Sequence, residues 1–172
     1  MARGSEKRGV KKVSGKRIKL RPYHPTWLVG YFGMGGHPPS FNSVGFNDII
    51  EKIKSDPEIE VEFVEGYDDI CGKCSRLQED AAGSIWGKRH KCTSSENPET
   101  VESVRRANQR FFEALGLSFG SVVKLKDLVA MMRERLPVLD EQELGGPGFQ
   151  KQYEHGLTVI AQFLEDSRER EK

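Results

Sequence analysis

Three things are scarce in this 172-residue chain. Long apolar runs come first. Stretches such as "WLVGYFGMGG" are short and broken by glycine, whereas a bilayer-spanning helix needs about 20 consecutive apolar residues. The basic N-terminus is not followed by the apolar segment of a secretory signal. The expected location is therefore cytoplasmic, with no membrane partner. Cysteine is the second scarcity, with three in all, an odd number. A cytosolic chain is not stapled by disulfides, so closely spaced cysteines point to metal or redox chemistry first. Catalytic signatures are the third. There is no nucleophile elbow, and a Ser/His/Asp triad cannot be assembled from spacing. "GYFGMGG" has the glycines of a phosphate loop, but it lacks the following Lys-Ser/Thr and the strand-to-helix context of a nucleotide site.

What is present fits one modest domain. Hydrophobic residues make up 36% and charged residues 31%, enough for a small core under a well-solvated surface. The net charge of +1 conceals an asymmetry: residues 1–17 carry seven Lys/Arg and one acid, and the remainder holds 20 bases and 25 acids. Residues 1–17 have no apolar periodicity and read as a disordered basic tail. Such a tail could neutralise nucleic-acid phosphates. No aromatic residue is interleaved to stack on a base, so a solubilising arm is the leading reading. Residues 18–172 form the single domain.

The expected fold class is α+β, mostly α, with one short strand, a cysteine-bearing loop and about four helices. Residues 18–41, punctuated by Pro22, Pro25, Pro38 and Pro39, read as a short apolar segment and a loop. Phe41, Val44, Ile49, Ile50 and Ile53 recur near helical spacing and predict a helix over 41–55. "IEVEFV" alternates apolar and acidic residues and predicts a half-exposed strand over 59–64. The cysteine loop follows, 65–97. Asn97 and Pro98 then open a helix that Gly116 ends. Two more helices are expected at about 124–136 and 149–169.

The cysteines stand in "DDICGKC" and, eighteen positions on, in "GKRHKC". Two thiolates separated by two residues can meet one ion, because the turn between them directs both sulfurs to one side. Cys92 supplies a third ligand to Cys71 and Cys74. For the fourth, His24 and His90 are the leading candidates. His24 is placed first, because adjacency to Cys92 restricts how His90 turns inward. His155, Asp68 and Asp69 are further candidates. Two rival readings of the cysteines are a redox dithiol at Cys71/Cys74 and inert buried thiols. "RPYHP" gathers Arg21, Tyr23 and His24 beside two prolines, either as a functional loop or as a structural turn.

Three stretches, "LRPYHPTWLVGYFGMGGHPPSFNSVGFNDIIEKI", "IEVEFVEGYDDICGKC" and "ALGLSFGSVVKLKDLVAMMRERL", resemble an uncharacterised family of small bacterial and archaeal proteins. Its members read "LRPHHLLC", then "GYxGxG", then "DDICxxC", then a further Cys, and iron–sulfur binding is suspected for them. The resemblance implies a cluster, [4Fe–4S] by type, on Cys71, Cys74 and Cys92. This chain departs from the pattern at "RPYHPTW": Tyr23 replaces the first His, and Trp27 stands in the Cys position. It also lacks the C-terminal cysteines that the family tends to carry.

Three functions follow from these readings. An iron–sulfur protein with an incompletely liganded iron could act as a Lewis acid on a substrate. A closed zinc module would be structural and non-catalytic. A helical interaction protein would retain only a vestigial site. Cysteine spacing does not choose between the metals, and the partner, a small molecule or a protein, is not legible.

Overall fold

A computed structural model of the chain describes residues 17–40, 42–75, 77–79, 90–92, 98–139 and 148–170, with 77–79, 90–92 and 98–100 described by backbone alone. The expected tail, apart from Arg17, and residues 76, 80–89 and 93–97 of the cysteine loop lie outside the described residues. The elements are β1 (Arg17–Leu20), α1 (His24–Gly33), α2 (Ser43–Ser55), β2 (Glu60–Phe63), a 3-10 turn (Cys71–Lys73), β3 (Leu77–Glu79), β4 (His90–Cys92), α3 (Pro98–Leu115), β5 (Val122–Lys124), α4 (Leu125–Arg135) and α5 (Phe149–Arg170). They make one small α+β domain, mostly α.

The sheet has the order β1-β2-β5. β1 runs parallel to β2, with Ile18 opposite Val61 and Leu20 opposite Phe63. β5 runs antiparallel to β2. Alternation sets the faces. Ile18, Leu20, Val61 and Phe63 are fully buried, while Glu60 and Glu62 point outward and pair with Arg17 at 3.0 and 3.5 Å. Strand β2 therefore matches the pattern read from its sequence. The inner face meets Phe46, Ile49, Ile50 and Ile53 of α2. Each such side chain contributes on the order of 1.5–3 kcal/mol when taken fully out of water.

The expectation of an apolar segment and loop over residues 18–41 is corrected: β1 and α1 form there. Pro25 sits in the first turn of α1, where a missing N–H costs nothing and the fixed φ favours the helix. The helix has no polar face to reveal its period, since His24, Thr26, Leu28, Val29, Tyr31 and Phe32 are all buried. Its glycines serve contact with α5 rather than flexibility. A Cβ on Gly33 would lie 2.6 Å from the Gly156 Cα, and one on Gly156 would lie 2.6 Å from the Val29 carbonyl carbon. Only glycine permits such backbone approach. Gly35 and Gly36, with φ of 80° and 151°, then turn the chain out of the helix.

Helix α5 completes the core with Tyr153, Leu157, Ile160 and Leu164. The Tyr153 hydroxyl donates to the Leu136 carbonyl at 3.0 Å, tying α5 to the end of α4. Among the described residues no helix is long and apolar enough to cross a membrane.

Candidate functional site

The cysteine turn is built on a buried carboxylate. Asp68 is only 4% exposed, and both of its oxygens are used twice. Oδ1 accepts the backbone N–H groups of Ile70 at 3.1 Å and Cys71 at 2.9 Å. These bonds cap the 3-10 turn, as an Asp does at a helix start. Oδ2 accepts the Arg21 N–H at 2.9 Å and the Nδ1–H of His24. One side chain thus joins the end of β1, the start of α1 and the first cysteine. Asp69 adds a second tie: its Oδ2 accepts the Lys19 N–H at 3.0 Å, and its own N–H donates to the Lys19 carbonyl at 3.0 Å. The sequence "DD" before "ICGKC" is therefore a two-residue clasp onto β1.

Within the turn, the Cys74 N–H donates to the Cys71 carbonyl at 3.0 Å. An i to i+3 closure of this kind keeps the two Cα atoms within about 7 Å. Cys71 is buried and Cys74 half-buried, and both are free thiols. Helix α2 abuts the turn through Gly45, where a Cβ would come within 2.8 Å of the Ile70 Cα. Lys73 pairs with Asp48 of α2.

The electrostatics follow from burial. Burial and the Asp68 charge together push the Cys71 thiol up to about 12, so without a metal it keeps its proton. Burial works against the Asp68 carboxylate too. There the His24 ring and Arg21 outweigh it and hold the carboxyl well below the usual range. Burial lowers the His24 pKa, and the Arg21 guanidinium pushes the same way against the attraction of Asp68. Geometry gives the same answer independently. Arg21 Nη2 lies 3.2 Å from His24 Nε2. A guanidinium can only donate, so Nε2 is the acceptor and the ring is neutral with its proton on Nδ1. Arg21 Nη2 also donates to the Tyr23 hydroxyl at 2.9 Å. "RPYHP" thus supplies Arg21, Tyr23 and His24 to one network.

The sequence candidates are distributed as follows. Cys71 and Cys74 share the turn, and His24 stands beside it with both ring nitrogens engaged. Cys92 and His90 lie in β4, whose register sets Cys92 opposite Leu77 and His90 opposite Glu79. The backbone of Cys92 is thereby paired three residues beyond Cys74. The side chains of Cys92 and His90 lie outside the described residues. His155 is exposed on α5. Trp27 packs into the α1–α5 seam, its ring centroid 4.8 Å from that of Phe149, and its indole N–H is buried without an acceptor. Among the described residues no group of three His, Cys, Asp or Glu side chains gathers as a metal site. Sequence reasoning named Asp68 only as a ligand candidate. The position three residues before Cys71 was the available signal that it caps the turn.

A family model, "Protein of unknown function (DUF1284)", matches residues 40–143, more than half of the chain. The matched segment holds all three cysteines and both clasp aspartates. No curated protein and no solved structure matches the chain.

Proposed function

We propose a thiolate metal site for this chain, which belongs to the DUF1284 family. Cys71, Cys74 and Cys92 are its ligands, an iron–sulfur cluster is the first occupant, and a closed structural zinc site is the alternative. One observation carries the reading: the β3–β4 register turns Cys92 back to a position paired three residues past Cys74. Three soft thiol donors on one short turn and the strand paired beyond it suit a cluster or zinc. The Asp68 clasp supports it by fixing the backbone of the turn before any metal arrives.

Both ring nitrogens of His24 have partners, so ligation by His24 requires Arg21 to leave. The proposal therefore ranks His90 ahead of His24 for the fourth position. If neither binds, one coordination position stays open. Loading must displace the proton held by Cys71, so metal uptake should release protons and weaken on acidification.

The test is anaerobic reconstitution of the full chain with iron and sulfide, and separately with zinc. Metal content and the visible absorption spectrum are the readouts. A broad brown charge-transfer spectrum that fades in each of Cys71→Ser, Cys74→Ser and Cys92→Ser supports the cluster. Colourless, cysteine-dependent zinc uptake selects the alternative. Metal content unchanged in all three variants sinks both.

A further inference from the structure

Helix α3 borders a surface groove. Between this helix and the loop before β5 lies a groove of about 550 Å³. Its floor is apolar: Val101, Val104, Phe112, Leu117 and Phe119. Phe119 is 45% exposed, and Val122 just beyond it is 39% exposed. Asn108 also lines the groove, and its Oδ1 is buried with no donor. An occupant must cover the apolar residues.

The order of residues along the groove identifies that occupant. The row at four-residue spacing reads Val101, Arg105, Gln109, Glu113, and Leu117 just past the helix end continues it. Such rows form the ridges by which helices pack. This row is self-complementary about Gln109. Reversed end for end, it sets valine against leucine, arginine against glutamate and glutamine against itself. We propose that α3 is the contact face of a twofold dimer, packed antiparallel on α3 of a second copy with Gln109 at the axis.

In this arrangement Arg105 faces Glu113 of the second copy, and the exchange is repeated by symmetry, as an isologous interface requires. Arg105 now pairs with Glu102 at 2.7 Å on the solvent side of the same helix. An exposed pair of this kind contributes little and is readily exchanged. Gln109 Nε2 donates one hydrogen to Glu113 at 2.8 Å. The helix has 18 residues, about 27 Å at 1.5 Å per residue, and holds four of the five matched positions, with Leu117 lining the groove just beyond its end. The proposal is independent of the metal reading, because no cysteine takes part.

Sedimentation equilibrium of the full chain over a range of concentrations tests it. The wild type is expected to dimerise reversibly. Arg105→Glu alone and Glu113→Arg alone should each be monomeric, because like charges then meet twice. Mixed in equal amounts, the two variants should form a one-to-one dimer, since each pair then joins opposite charges. Circular dichroism confirms that both variants stay folded. Recovery on mixing is a result that a merely structural role for either residue would not produce. A wild type that stays monomeric, or a mixture that does not associate, overturns the proposal and leaves the groove to a small ligand or another protein.

Discussion

The two ends of α1 are held by opposite means. At its N-terminus His24 enters the clasp, where Asp68 accepts from four donors. Toward its C-terminus Gly30 and Gly33 lie against α5, where side chains are missing so that backbones can meet. The first end depends on a few directed bonds to one charge. The second depends on shape alone. The contrast shows where each is vulnerable: the clasp to loss of one polar group, the seam to gain of one methyl. Because α1 is a short rigid rod between them, the seam also fixes where His24 and the cysteine turn stand.

The largest expected effect is at the clasp. Asp68→Ala removes the acceptor of four buried donors and leaves them unpaired. Breaking a buried charged network costs about 3–5 kcal/mol, read as a fall in urea-unfolding free energy. Asp69→Ala removes one exposed bond to Lys19, worth about 1 kcal/mol. Equal losses in the two variants would dissolve the distinction between clasp and surface tie.

The seam follows. Gly156→Ala puts a Cβ against the Val29 carbonyl with no flexible side chain to yield. Overpacking of this kind costs about 1–3 kcal/mol. Gly72 in the cysteine turn is the control. A Cβ there meets nothing within 4 Å, and Gly72→Ala should stay within about 0.5 kcal/mol of the wild type. A Gly156 variant as stable as the Gly72 variant would mean that the helices can separate without cost, and the seam would lose its standing as a fixed spacer.

How far the sequence disclosed these regions depended on whether a pattern had a solvent side. Strand β2 was legible because Glu60 and Glu62 alternate with buried Val61 and Phe63. Helices α2 to α5 were legible from stripes with polar backs. Helix α1 was not, because it is buried around its circumference and its prolines and glycines imitate a loop. Strand β5 has only three residues, Val122–Lys124, too few to show alternation. At the site, cysteine spacing found the turn, and "RPYHP", read as a functional loop or a structural turn, leads into α1, with His24 its first residue. The sequence could not disclose that Asp68, 44 positions from His24, would be its partner. That pairing exists only because β1 and β2 lie side by side.

The smallest effect separates the two ends by pH. Tyr31 lies on α1 at the seam end, 5.8 Å from the Trp27 ring and 6.4 Å from Phe149 by centroid. Burial raises its hydroxyl to about 12. The folded state therefore holds a proton that the unfolded chain releases near pH 10. A raised native pKa gives stability that is complete below the unfolded value and is lost as pH climbs through the native one. The wild type should accordingly weaken between about pH 10 and 12. Tyr31→Phe has no proton to lose there. Its urea-unfolding free energy should match the wild type near neutrality and fall less steeply above pH 10. Tyr153 is raised by burial as well and carries part of the loss that remains. Parallel curves for variant and wild type across the alkaline range would show that Tyr31 ionises without resistance, and that the seam end is wetter than its packing implies.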